Sequence, residues 1–157
     1  MFEVNKNKAI HLVYMKERPG AGIIFYTIRE GEPHYLFLQH SKSSFLDFVK
    51  GGKESGESTL QCAVREAEEE TGFTPEQYSL IEGFKTAWKY TNNVNVYRHI
   101  TLYLAKCDAD PTLSHEHDAY MYLTYDEAKQ RLPHKEQKQI LEQAHLRVKR
   151  QEKAHNT

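Results

Sequence analysis

Three glutamates fall close together near the middle of the chain, and their spacing could serve metal-dependent chemistry. At about 100° per residue, a helix places Glu66, Glu69 and Glu70 on one face. The predicted opposite, apolar face carries Leu60, Val64, Ala67 and Thr71. The glutamates crowd the last turns of this helix, where the macrodipole is already negative and like charges repel. Apart from Arg65, nothing in the helix offsets them, so either a divalent cation binds here or the acidic face is simply solvated.

Carboxylate oxygens without nitrogen or sulfur ligands favour a hard cation. Mg²⁺ is therefore the first expectation as cofactor, and Mn²⁺ the second. The flanking sequence also marks the ends of the helix clearly. Ser58 followed by Gln61 forms a capping pattern, Gly72 offers a left-handed stop, and Pro75 follows shortly after. The sequence predicts a helix over residues 58–71, preceded by a glycine-punctuated loop whose backbone can approach a ligand.

Six apolar or β-branched runs predict the strands that must position this helix. They cover residues 9–14, 22–28, 35–39, 78–84, 99–105 and 119–123. Between the second and third runs, Gly31 and Pro33 carry turn chemistry, which predicts a hairpin.

Two further helices are expected towards the end of the chain. Thr124 and Glu127 form a second capping pattern, which opens a short helix that Pro133 interrupts. A longer amphipathic helix follows, with apolar residues at helical spacing: Ile140, Leu141, Ala144 and Val148. Residues 151–157 are expected to be frayed.

Composition excludes several classes of protein. The 157 residues suit one domain, and 21 Lys and Arg balance 22 Asp and Glu, which argues against a general nucleic-acid coat or a membrane-surface protein. No run approaches the roughly 20 apolar residues of a membrane span, and the first residues lack the order of a signal peptide. We expect a cytoplasmic monomer with no membrane or DNA partner. Cys62 and Cys107 lack CxxC spacing, so neither a disulfide framework nor a zinc ribbon is indicated.

The loop and helix together carry a longer pattern. Counted from its first glycine, the spacing is G-x5-E-x7-R-E-U-x-E-E-x-G-U, where U is an apolar residue. The positions are filled by Gly51, Glu57, Arg65, Glu66, Ala67, Glu69, Glu70, Gly72 and Phe73. This pattern resembles the Nudix box, with Ala67 smaller than the usual aliphatic residue. The resemblance implies an α/β/α sandwich with a mixed sheet between helices. It also implies magnesium-dependent hydrolysis of a nucleoside diphosphate linked to another moiety.

The resemblance assigns roles residue by residue. Glu66, Glu69 and Glu70 match the metal-binding carboxylates and are the predicted catalytic residues, with Glu69 as general base. Gly51 matches a loop glycine whose carbonyl completes the metal shell. The remaining two charged positions, Glu57 and Arg65, match a pair that braces the loop against the helix.

Outside the box, residues 80–85 and 113–117 resemble segments of the asymmetrical diadenosine tetraphosphate hydrolases. That similarity implies Glu116 as a further metal ligand, with His115 and His117 as rival ligands. Adenine needs a flat apolar platform and phosphates need fixed cations. The predicted substrate-binding residues are Lys50, Lys85, Tyr90, Arg98 and His134, with Tyr90 and His134 matching positions that stack on the base.

The chain departs from this subfamily in two places. Val49 stands where a proline is usual, and no histidine occurs near residues 44–45, which leaves His40 or Lys42 as a replacement phosphate contact. The leading hypothesis is magnesium-dependent hydrolysis of diadenosine tetraphosphate to ATP and AMP.

Two alternatives stay open. One is hydrolysis of another substituted nucleotide, such as a capped RNA 5′ end or a nucleotide sugar. The other is a non-catalytic dinucleotide sensor. Residues 129–157 hold eight Lys or Arg against three Asp or Glu, a net charge of +5. This segment is either a solvated helix or a surface that faces polyphosphate or RNA.

Overall fold

The computed structural model describes residues 16–40, 42–91, 96–114 and 117–155. Within these ranges, eight strands form one sheet. The strands are β1 Lys16–Arg29, β2 Glu32–His40, β3 Leu46–Asp47, β4 Val49–Gly52, β5 Tyr78–Leu80, β6 Thr86–Thr91, β7 Val96–Cys107 and β8 His117–Thr124. The helices are α1 Thr59–Thr71, α2 Tyr125–Arg131 and α3 Lys135–His155, with a 3-10 turn at Pro75–Gln77. The strand predicted over residues 9–14 lies outside the described residues.

Strand β1 is the centre of the sheet. It runs parallel to β7, from the Lys16–Val96 pair to the Tyr26–Lys106 pair. Its other edge pairs antiparallel with β4 near its start and with β2 near its end. Strands β3 and β8 pair with β2, while β5 and β6 pair with β7. The sheet is therefore mixed, as expected.

Helices cover both faces of this sheet, which confirms the α/β/α sandwich. On one face, Cys62, Ala63 and Ala67 of α1 pack against apolar residues of β1, including Ile23 and Phe25. On the other face, α2 and α3 bury the residues that the sequence predicted: Ile140, Leu141, Ala144 and Val148. No helix in the described part of the chain is long and apolar enough to cross a membrane.

Local signals placed the helix ends correctly. The Ser58 hydroxyl accepts from Gln61 N at 3.1 Å, and the Gln61 side chain accepts from Ser58 N at 2.8 Å. Gly72 ends α1 with a φ of 76°. The predicted hairpin turns through Glu30 and Gly31, whose φ angles of 53° and 76° fit a two-residue turn.

Several sequence predictions were wrong. The predicted strand over 78–84 ends at Leu80, because the chain turns at Gly83, where φ is 84°. Strand β6 was not predicted. Leu60 is 41% exposed rather than buried, since Cys62 and Ala63 are the small residues that let α1 approach the sheet.

The C-terminal residues are also more ordered than expected. Helix α3 continues to His155 instead of fraying after residue 150. Glu152 fixes this last part, because it accepts a hydrogen bond from the Tyr26 hydroxyl at 2.8 Å. It also pairs with the ammonium of Lys106 at 3.2 Å. The helix end is thus tied to the centre of the sheet.

His145 joins α3 to β2 and α2. Its Nδ1 lies 2.7 Å from the Tyr35 hydroxyl, and its ring stacks on Tyr125 with centroids 4.4 Å apart. Burial lowers the pKa of His145, and Lys149 lowers it further. The nearby carboxylates of Asp126 and Glu32 oppose that shift without cancelling it.

This depressed pKa predicts a pH-dependent stability. The folded protein holds His145 neutral, whereas the unfolded chain protonates near the usual pKa of 6.5. The stabilisation is therefore present above pH 6.5 and is lost as the pH falls through the lower folded value. We expect the unfolding temperature to drop between pH 7 and pH 5, measured by circular dichroism. The drop should be smaller in His145→Gln, and an equal drop in both proteins would contradict this role.

Candidate active site

Arg65 of α1 contacts carboxylates and a carbonyl of both the loop and the helix. Its guanidinium donates two hydrogen bonds to Glu57, at 3.0 and 2.7 Å, and one to the Gly52 carbonyl at 2.7 Å. It also donates to Glu66 at 2.9 Å and to Glu69 at 3.1 Å. The paired hydrogen bonds from Arg65 lower the pKa of Glu57 to about 2. Arg65 thus braces the loop against α1 and offsets two of the three clustered carboxylates.

Glu70 lies apart from Arg65 and is only 8% exposed. It does not lie opposite the apolar face as predicted, because it follows the buried Ala67 by one turn. Its carboxylate accepts from the backbone N of Lys50 at 3.2 Å. Burial, followed by the charge of Glu66, raises the pKa of Glu70 to about 9, although Lys50 acts against the shift. The ionised form of Glu70 therefore lacks sufficient positive charge around it.

The loop is pressed tightly between β1 and α1, and this explains its glycines. A Cβ on Gly51 would overlap the carboxylate of Glu66. On the β1 side, a Cβ on Gly22 would overlap the carbonyl oxygen of Val49. The carbonyl oxygen of Gly51 lies 3.7 Å from Sγ of Cys62, and so it faces α1 one turn before Glu66.

These residues fit a hard divalent cation by their chemistry. Among the described residues, no three His, Cys, Asp or Glu side chains already form a metal cluster. Arg65 holds Glu66 and Glu69, while the Lys50 backbone holds Glu70. The available donors are nevertheless all oxygens, and Glu70 is buried with too little positive charge. Glu116, His115 and the side chain of His117 lie outside the described residues.

An aromatic cavity of about 500 Å³ opens beside these carboxylates. Tyr90 and His134 both line it, so the structure brings the two predicted base-stacking residues together. Between them lies Trp88, with its ring centroid 4.4 Å from Tyr90 and 6.1 Å from His134. Trp88 and the exposed Phe45 were not predicted from the sequence. For Trp88, the available signal in the sequence was the alternation of Trp88 and Tyr90 with the polar Lys89 and Thr91, because residues two apart on a strand share a face.

Lys50 connects the cavity to the carboxylates. Its ammonium lies 3.0 Å from Asp47, and it lies 5.6 and 6.0 Å from the ring centroids of Trp88 and Tyr90. Burial lowers the pKa of Lys50, but Asp47, Tyr90 and Glu70 outweigh that effect and raise it. Lys50 therefore stays charged between the two halves of the site.

The other predicted phosphate contacts are placed unevenly. Arg98 pairs in register with Tyr90, and its Nη1 lies 3.8 Å from the position that a Cβ on Gly52 would take. Lys85 is exposed and lines a different cleft, together with Leu60. His40 lines the aromatic cavity. The structure therefore brings Lys50 and Arg98 to the loop but leaves Lys85 apart.

Comparisons with known proteins identify the family. The family model described as "NUDIX domain" matches residues 16–144. An asymmetrical bis(5'-nucleosyl)-tetraphosphatase of Sus scrofa is 39% identical over 104 residues, which cover 61% of this chain and 67% of the relative. The mRNA-decapping protein g5R of African swine fever virus is 41% identical over 61 residues, which cover 39% of this chain and 25% of that protein.

A solved structure has a similar fold. The Ap4A hydrolase of C. elegans in a binary complex superposes with a TM-score of 0.76 at 27% identity, covering 80% of this chain and 93% of that one. Nudix hydrolases generally use a divalent metal ion. The chain belongs to the Nudix family and is a Nudix hydrolase.

Proposed function

We propose that this protein hydrolyses diadenosine tetraphosphate to ATP and AMP, with Mg²⁺ as its cofactor and Mn²⁺ as a substitute. The position of Lys50 carries the proposal. Its backbone N donates to the buried Glu70, while its ammonium lies over the Trp88 and Tyr90 rings of the aromatic cavity. A nucleoside in that cavity would direct its phosphates towards the carboxylates. The relatives named as tetraphosphatases support this substrate class.

The metal would be held by the Gly51 carbonyl and by the carboxylates of Glu66, Glu69, Glu70 and Glu116. When bound, the ion would neutralise phosphate oxygens and acidify a water molecule for attack. Glu69 is the proposed general base, since its side chain is 56% exposed and reaches the surface of the cluster. Arg65 keeps that carboxylate in place through its hydrogen bond at 3.1 Å.

The remaining residues would bind and orient the substrate. Tyr90 and His134 offer ring faces to a base, while Lys50 and Arg98 offer positive charge between the cavity and the loop. Lys85 can contact only a part of the substrate that extends away from the cavity, since it lines a different cleft.

Product analysis tests this proposal directly. Purified protein is incubated with diadenosine tetraphosphate and Mg²⁺, and the nucleotides are separated by anion exchange. We expect equal amounts of ATP and AMP, none without a divalent ion, and turnover again when Mn²⁺ replaces Mg²⁺. The absence of cleavage, or ADP as the only product, would contradict the proposed reaction. Turnover that depends on the site carboxylates would also exclude a non-catalytic sensor.

A capped RNA 5′ end is the second candidate substrate. The similarity to an mRNA-decapping protein favours it, as does the net charge of +5 over residues 129–157. Lys149 and Arg150 are exposed on α3, where they could contact the RNA backbone. If so, neutralising both residues should raise the KM for capped RNA, whereas an unchanged KM would contradict this use of α3. The single domain over residues 1–157, the cytoplasmic location and the monomeric state stay predictions.

A further inference from the structure

The aromatic cavity carries an acidic wall that the proposed reaction does not use. Asp47 of β3 and Glu136 of α3 both line it. Among the described residues that line the cavity, none is a lysine or an arginine. Such a lining is poorly suited to phosphate, because the Lys50 ammonium beside it is already paired with the Asp47 carboxylate at 3.0 Å. It suits an uncharged or positively charged group that offers hydrogen-bond donors.

Asp47 is a fixed acceptor. One of its carboxylate oxygens accepts from the backbone N of Phe48 at 2.8 Å, and the other lies 3.0 Å from the Lys50 ammonium. An ionised carboxylate offers about four lone-pair sites, so these contacts hold its orientation without using its full capacity. The side chain is 36% exposed, which leaves it accessible from the cavity.

We propose that the cavity binds guanine, with Asp47 accepting hydrogen bonds from N1–H and the exocyclic amino group of the base. This inference rests on the proposed function and names the base that the same site prefers. Guanine places two donors side by side on its Watson–Crick edge, which matches the two oxygens of a carboxylate. Adenine places an acceptor, N1, beside its amino group, and that lone pair repels a carboxylate. Diadenosine tetraphosphate is then a substrate, and a guanosine-bearing analogue is a better one.

Guanine reaches such a site from two sources, a dinucleoside polyphosphate or a capped RNA 5′ end. Both present the same donor edge, and the cap adds a methyl group and a positive charge at N7. The Tyr90 and Trp88 rings would stabilise that positive charge through cation–π attraction. Comparing GMP with 7-methyl-GMP therefore separates the two sources, while the Asp47 contact is common to both.

A binding experiment tests the base without any turnover. Trp88 is the single tryptophan of the chain and lines the cavity, so its fluorescence reports occupancy. We expect GMP to bind about tenfold more tightly than AMP, since guanine makes one more charge-assisted hydrogen bond to Asp47 than adenine can. Asp47→Asn should bring the two affinities within about twofold of each other, while Asp47→Glu keeps part of the preference.

Glu136→Gln is the matched variant, because Glu136 is the other carboxylate that lines the cavity. It should retain the preference for GMP, because the proposal assigns the base contact to Asp47. Equal or tighter binding of AMP by the unaltered protein would overturn the proposal. It would also be overturned if the preference for GMP survived Asp47→Asn or disappeared in Glu136→Gln.

The mixed substrate adenosine–guanosine tetraphosphate gives a second, independent readout. Water adds to one phosphorus, a bridging P–O bond breaks, and the products are either GMP with ATP or AMP with GTP. We expect one pair to exceed the other about tenfold, and Asp47→Asn to equalise them. This ratio is insensitive to a general loss of rate, such as the loss that a disturbed Lys50 would cause.

The two readouts fail differently. Equal product pairs from the unaltered protein would overturn guanine preference and leave the proposed hydrolysis intact. If no tetraphosphate were cleaved, the proposed function would be overturned, and the fluorescence comparison alone would still decide whether the cavity prefers guanine.

Discussion

Glu70→Gln should reduce hydrolysis about 10²- to 10³-fold without unfolding the protein. The change removes the charge of a proposed metal ligand, while the amide oxygen can still accept from the backbone N of Lys50. It also removes a buried carboxylate whose pKa is raised to about 9, so the metal-free variant should be no less stable than the unaltered protein. Activity and thermal unfolding are measured on the same preparation.

Glu68→Gln provides the matched control, since Glu68 belongs to the same acidic run but points to solvent. That variant should keep its activity, and Mg²⁺ should raise its unfolding temperature as it does for the unaltered protein. The same ion should stabilise Glu70→Gln much less. If Glu70→Gln kept more than about a tenth of its activity, the proposed ligand role would be wrong.

Two glycine substitutions should separate folding from catalysis. Gly22→Ala should destabilise the protein by about 3 kcal/mol or more, because its Cβ would overlap the backbone of Val49 and Lys50, which cannot move aside. In Gly51→Ala, the three atoms nearest to the added Cβ all belong to the carboxylate of Glu66, which ends a flexible side chain. That variant should stay folded and lose most of its activity, since a proposed ligand is displaced.

Urea unfolding and turnover measure both effects. Gly52→Ala serves as the control, because the nearest atom to its added Cβ would be Nη1 of Arg98 at 3.8 Å, an ordinary contact distance. Its stability should stay close to that of the unaltered protein. Gly22→Ala with normal stability would show that β4 is less closely packed on β1 than the structure indicates.

Local chemistry made much of the fold predictable. Capping at Ser58 and Thr124, and the left-handed stop at Gly72, depend on neighbours within a few residues, and all three signals placed helix ends correctly. The Nudix box likewise predicted that Gly51 in the loop and Glu66 in the helix belong to one site, and the structure packs them against each other.

The rest depends on contacts between distant parts of the chain. The aromatic cavity is formed by residues of β3, β6 and the start of α3. Asp47, Trp88 and His134 are therefore distant in sequence and come together only when the chain folds. Glu152 is another example, because its partners Tyr26 and Lys106 lie far away in sequence and keep a helix end from fraying. Leu60 shows that helical periodicity alone does not identify the buried face, because the small residues Cys62 and Ala63 pack on the sheet and leave Leu60 exposed.

The parallel pairing of β1 with β7 has a consequence for the order of folding. Lys16 pairs with Val96, so 96 of the 157 residues must be made before this ladder begins to close. The loop at Gly51 rests on β1, and β1 is unsupported on its other edge until β7 arrives. Pairing of such distant segments is intrinsically slow. During synthesis on the ribosome, the catalytic loop would therefore become fixed late, after residue 107 has emerged, even though its own sequence emerges early.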